Sequence, residues 1–214
     1  MDFFTQGPVD PAVVLPFLAA AALMEVTPGP NMGWLALVSL SQGRAAGLAA
    51  VVGITLGLTL WMGAAAFGLT EAVLRWLALY QVIRWAGVGF LLWLAWDAWR
   101  SGGGSASDAP VQTRRRALFR RGLIGNLLNP KAALLYVVLL PGFIRPALGS
   151  TLTQALTLGS LHVVVSVIVH TTIVLTAARA GGALLTRAQG PVLRAAMALG
   201  LVAIAVWTAW ETRA

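Results

Sequence analysis

The chain has no cysteine, a single lysine and only seven acidic residues in 214. Without cysteine there are no disulfides and no thiolate metal sites, and no redox compartment can be inferred. Charged residues make up 10% of the sequence against 58% hydrophobic, and mean hydropathy is +0.81. A soluble domain carries roughly 25% charge, so water is not the main solvent of this chain. No Gly-x-x-x-x-Gly-Lys-Ser/Thr run is present, which excludes ATP hydrolysis through a P-loop, and no His-Glu-x-x-His pattern accompanies the two histidines. No metal and no cofactor are expected, and the chain does not read as an enzyme. Nor does any lysine or arginine precede Arg44, so the basic stretch that opens a secretory signal peptide is missing. The first apolar run is expected to stay in the mature protein.

What the chain does have is a series of long uncharged stretches. They predict six membrane spans near residues 13–40, 45–69, 80–99, 122–144, 152–178 and 191–210, each long enough to cross a ~30 Å hydrocarbon layer as helix. Lipid offers no partner to open strand edges, so the expected fold class is an all-α membrane protein. The third stretch is the least clean, with Arg84 and Asp97 near its ends, and a five-span reading leaves it at the interface. The whole of 1–214 reads as one transmembrane transporter domain. One half covers about 13–100, a linker about 101–120, and a second half about 121–211. The linker combines a Gly/Ser-rich tract (101–110) with Arg114, Arg115, Arg116, Arg120 and Arg121.

The net charge of +8 does not indicate nucleic acid, because the arginines lie in short segments between apolar runs. With six spans, the first, third and fifth loops together carry ten arginines. The opposite side carries four, at Arg75, Arg84, Arg145 and Arg213. The positive-inside rule then places the linker in the cytoplasm and both termini outside. Contact of the arginine cluster with lipid headgroups is a further expectation. Trp76, Trp85, Trp96, Trp99, Trp207 and Trp210 fall near span ends, as interfacial aromatics do. On the second span, Gly53 and Gly57 stand four residues apart, a spacing that suits close packing inside the bundle or at a homodimer contact.

The interruptions of the first and fourth spans are the informative feature. The first contains Glu25-Val26-Thr27-Pro28-Gly29-Pro30-Asn31, where two prolines around a glycine cannot continue a helix. The fourth contains Asn126-Leu127-Leu128-Asn129-Pro130-Lys131, with a proline beside the only lysine. Both breaks fall near the middle of the bilayer. The second break lies three spans on from the first, so the two halves cross in opposite directions, as in the inverted repeats of secondary transporters. Proline kinks re-satisfied by neighbouring helices are the plainer explanation of one such break; two matching polar breaks favour a binding site. Freed N–H groups suit a substrate carboxylate and freed carbonyls an ammonium, and an amino acid presents both.

At these residues the chain resembles the lysine exporter (LysE) superfamily, in particular its homoserine/threonine-exporter-like branch. Thr27-Pro28-Gly29-Pro30-Asn31 is similar to that family's first-helix signature. The run Gly125-Asn126-Leu127-Leu128-Asn129-Pro130-Lys131-Ala132-Ala133, continuing into Leu140-Pro141-Gly142-Phe143, is similar to its fourth-helix signature. Gly89 to Trp96 resembles the end of the third helix. The resemblance covers nearly the whole chain and implies export of amino acids or their derivatives from the bacterial cytoplasm, driven by an ion gradient. Asp97 and Glu25 depart from the family pattern and leave the substrate open.

The candidate substrate-binding residues are therefore Thr27, Pro28, Gly29, Pro30, Asn31, Asn126, Asn129, Pro130 and Lys131. The expected partners are an amino-acid-like solute, protons and the lipid bilayer, in the bacterial inner membrane. Glu25 precedes the first break, where an ionised carboxylate without a partner is costly. Two readings stand: an ion pair with Lys131 that holds the halves together, or a carboxylate that couples transport to protons. His162 and His170, two helical turns apart on the fifth span, are expected to be packed and hydrogen-bonded, with proton relay or substrate contact as the minority reading. Gly159-Ser160-Leu161-His162 leaves an intramembrane hydrolase as a rival class, and a passive channel or structural subunit as a third.

Overall fold

The computed structural model describes residues 9–68, 77–100, 111–184 and 191–211, and all regular structure among them is helical. In chain order the helices are α1 Pro11–Val26, α2 Pro30–Gln42, α3 Arg44–Ala66, α4 Leu77–Arg100, α5 Val111–Leu127, α6 Pro130–Leu134, α7 Thr151–Leu184 and α8 Pro191–Glu211. After α6 the chain continues as a π-helical turn over Leu135–Leu139 and a 3₁₀ turn over Leu140–Phe143. α3, α4 and α7 each supply a run long and apolar enough to cross a membrane. Two further spans are bent pairs: α1 with α2, bent by 55°, and α5 with Pro130–Phe143, bent by 51°. α8, with a shorter apolar stretch at Ala195–Trp210, completes about six spans.

Local chemistry sets these ends. Pro11 opens α1 at the position that needs no N–H, and the Asp10 carboxylate accepts from the Ala12 amide at 2.9 Å. Thr27 ends α1 in an extended conformation, as a residue before proline must, and Pro30 restarts the helix at its first position. Asn129 repeats the arrangement in the second half, where its side chain accepts from the Lys131 amide at 3.1 Å ahead of Pro130. Between α2 and α3 the link is Gly43 alone, at φ +80°, a conformation that disfavours a side chain.

The packing pattern is unchanged when the halves are exchanged. The broken first span packs on α7 of the second half, and α5 of the broken fourth span packs on α3 of the first. α3 meets α7, and α4 meets α8, which pair second with fifth and third with sixth spans. Glycine makes the closest of these approaches. A Cβ on Gly53 would stand 2.0 Å from the Phe119 carbonyl oxygen, and one on Gly122 2.4 Å from that of Ala50. The small-residue stripe of the second span is thus consumed inside the chain, against the fourth span.

The structure adjusts the helix limits. Residues 111–120 of the linker are helical, and Arg114 to Arg121 lie on the first three turns of α5. Residues 101–110, with Arg75, Trp76, Arg187 and Arg213, lie outside the described residues. Arg84, counted above as a flanking charge, is buried. It donates to Gln81 Oε1 at 3.0 Å and to the Ala209 carbonyl at 2.7 Å, tying α4 to the last turn of α8.

Candidate functional site

Both proline breaks open into the same space. A cleft of about 210 Å³ is bounded by Thr27, Pro28 and Gly29 from the first break, Asn129 and Lys131 from the second, and Trp207 of α8. Lys131 crosses it: its Nζ donates to the Thr27 carbonyl, one of those released by the end of α1. Gly29 makes room for this crossing, since a Cβ there would stand 3.3 Å from Lys131 Cδ and 3.5 Å from Nζ.

A second, narrower cavity lies behind the break and shares Met24, Gly29, Asn129 and Lys131 with the cleft. It is bounded by Glu25, Asn31, Asn126, His162 and His170. Asn31, Asn126 and Asn129 are all buried, and Asn126 Oδ1 has no hydrogen-bond partner, an arrangement that costs about 1–3 kcal/mol unless a ligand or water completes it. A third narrow cavity runs from Asn31, Asn129 and Pro130 past Phe90 and Gly125 to Arg121. There Arg121 pairs with Asp97 at 2.6 Å and stacks over Trp93, joining α4 to α5.

The structure brings Thr27, Pro28, Gly29, Pro30, Asn31, Asn126, Asn129, Pro130 and Lys131 around these connected cavities. Glu25, however, has partners that the sequence reading did not assign to it. The ion pair with Lys131 is not formed: Glu25 Oε1 stands 2.9 Å from His162 Nε2, and Ser166 Oγ donates to Oε2 at 3.2 Å. His162 Nδ1 is 2.9 Å from the Tyr136 hydroxyl, and His170 Nδ1 is 2.8 Å from Ser166 Oγ. One set of tautomers satisfies every member: Tyr136 donates to His162, His162 to Glu25, Ser166 to Glu25 and His170 to Ser166. His162, Ser166 and His170 follow at four-residue spacing and share one face of α7. Tyr136 arrives from the π-helical turn, a local widening that often serves functional positions.

The rival hydrolase loses its pair here. Ser160 Oγ faces the Met62 sulfur at 3.7 Å, on another side of α7 from His162. Trp207, read from sequence as an interfacial aromatic, borders the cleft instead.

A helical membrane bundle with two facing, polar, proline-broken spans is the architecture of a membrane transport protein. The comparison with known sequences gives the same class: the LysE type translocator model matches residues 22–211. The chain belongs to that family, whose members are translocators and not enzymes. It is 31% identical over 156 residues to the homoserine/homoserine lactone efflux protein of Salmonella typhimurium, covering 72% of this chain and 75% of that protein. It is 30% identical over 136 residues to the leucine efflux protein of Klebsiella pneumoniae, covering 61% of this chain and 62% of that protein. Over 143 residues it is 33% identical to the membrane protein YahN of Escherichia coli, covering 64% and 62% of the two chains. No solved structure matches the chain significantly.

Proposed function

We propose that this chain is a secondary exporter of amino acids or amino-acid derivatives across the bacterial cytoplasmic membrane, coupled to protons through Glu25. The observation that carries the reading is the cleft between the breaks, where the only lysine of the chain spans from one half to a freed carbonyl of the other. A zwitterion supplies what that arrangement accepts: a carboxylate for the Lys131 ammonium, and an ammonium for the Thr27 carbonyl that Lys131 would then release. Family membership and the efflux functions named for two relatives support the same solute class.

Coupling is assigned to Glu25 because it lies one cavity away from the cleft and is held by groups that exchange protons. Its carboxylate is bonded by His162 and Ser166, which bond in turn to Tyr136 and His170, and intramembrane carboxylates of this kind mark proton relays in transporters. The termini are placed outside and the 101–120 segment in the cytoplasm, on the arginine count.

Everted membrane vesicles containing the protein should accumulate a labelled amino acid when respiring, and lose it when an uncoupler is added. Uptake indifferent to the uncoupler would remove the proton coupling. Absence of any protein-dependent movement across a full amino-acid panel would remove the exporter reading.

A further inference from the structure

We propose that the substrate is a zwitterion with a neutral, apolar side chain, received by Trp207 and Met24, and that Trp207 sets this selectivity. The proposal rests on the exporter reading and narrows it.

Charge comes first. Among the described residues, Lys131 is the one ionisable side chain bordering the cleft. The carboxylate on the adjoining cavity, Glu25, lies behind the first break and its oxygens are engaged by His162 and Ser166. A substrate side chain carrying a second ammonium would meet Lys131 with no counter-charge on the walls. One carrying a second carboxylate would leave it unpaired once Lys131 had bound the first. Either case buries an uncompensated charge, which is far costlier than the loss of one contact.

Polarity comes second. Apart from Asn129, whose side-chain oxygen already accepts from the Lys131 amide, the rest of the wall is largely apolar: Met24, Pro28, Pro30, Pro130 and the ring of Trp207. The two hydroxyls on it already donate within their own helices, Thr27 to the Leu23 carbonyl at 2.7 Å and Thr208 to that of Ile204 at 2.7 Å. A substrate hydroxyl is thus offered no donor by these groups, whereas a branched or aromatic side chain meets Trp207, Met24 and proline rings.

Size comes third. The cleft, at about 210 Å³, exceeds the roughly 150 Å³ that admits a benzene molecule in an apolar cavity. It holds the backbone and side chain of a medium-sized amino acid together.

The experiment is counterflow in proteoliposomes of the purified protein, with labelled leucine inside competing against leucine, phenylalanine, alanine, homoserine, lysine and glutamate. Leucine and phenylalanine should have KM values at least tenfold below those of lysine and glutamate, with homoserine and alanine weaker than leucine. In Trp207→Ala the ratio of the leucine KM to the alanine KM should rise about tenfold, the loss expected for one large apolar contact. A merely structural tryptophan would depress both substrates together and leave the ratio unmoved, which would overturn the assignment. If Trp207→Ala does not fold, Met24→Ala tests the same wall, with a rise in the same ratio expected and an unchanged ratio contradicting it. Preference for lysine, glutamate or homoserine over leucine would overturn the selectivity but keep the exporter. No movement of any amino acid would overturn both.

Discussion

Glu25→Gln tests the proposed coupling role apart from binding. The glutamine retains one acceptor oxygen for His162 and the overall size of the side chain, but it cannot take up and release a proton. The native carboxylate accepts from His162 at 2.9 Å and from Ser166 at 3.2 Å. Charge-assisted bonds contribute about 1.5–3 kcal/mol each and neutral ones about 1, so the variant, with two such bonds weakened, should lose about 1–4 kcal/mol of stability and remain folded. The transport effect is much larger. One elementary charge moved through 100 mV releases about 2.3 kcal/mol, and each 1.4 kcal/mol is a factor of ten in concentration. A zwitterion exchanged for one proton is therefore concentrated about fifty-fold by a 100 mV potential, and more if a pH gradient assists. In respiring everted vesicles the native protein should approach that ratio with leucine, while Glu25→Gln should settle at equal concentrations on the two sides. Counterflow by the variant, which needs no coupling, should persist. Uphill accumulation by Glu25→Gln at the native ratio would refute the assignment, and loss of folded protein would identify the network as structural.

Three other outcomes follow from the geometry. Gly53→Ala should strongly destabilise the protein, because its Cβ would meet the Phe119 carbonyl backbone at 2.0 Å, whereas Gly63→Ala, with nothing within 4 Å, should be neutral or slightly stabilising in a detergent melting series. Cysteines at positions 27 and 131 should be joined by a short bifunctional thiol reagent, since the Lys131 side chain reaches the Thr27 carbonyl; failure to cross-link in any transport state would contradict the shared cleft. Alkaline phosphatase should be active when fused after Ala214 and inactive when fused at Ser105, and the reverse pattern would overturn the orientation.

The breaks were legible because proline acts through the backbone: a missing N–H and a steric clash operate whatever the rest of the fold does. Their meeting place was legible too, from depth and from the odd offset of three spans that carries the first break to the second. The partners of Glu25 were not, because they depend on which face of α7 turns toward α1, a packing outcome that apolar periodicity does not encode in a helix surrounded by lipid. A usable signal existed in Ser166, which sits midway between His162 and His170 and completes a single polar stripe. Tyr136 was harder to find, since its direction depends on a π-helical turn after Pro130. The arginine cluster masks the helical start of α5 as a charged loop, although arginine is a good helix former and no glycine or proline interrupts 111–121. By position alone Trp207 falls among the interfacial aromatics, and only the fold turns it to the cleft.

The contacts that define the two sites cross between the halves in opposite senses. Lys131 of the second half reaches back to the Thr27 carbonyl of the first, while Glu25 of the first half is held by His162 and Ser166 of the second. Only Val26 separates Glu25 from Thr27 along the chain, so the same break carries both connections. In the proposed exporter, a rocking motion of one half against the other would stretch the Lys131–Thr27 contact and the carboxylate network together. Neutralising Glu25 weakens its hold on α7, and a substrate carboxylate that takes Lys131 releases the Thr27 carbonyl. Each event removes one of two ties across the same hinge. The proposed exchange of substrate for a proton then requires that either event alone release the hinge and that the two exclude one another, a negative coupling between the sites.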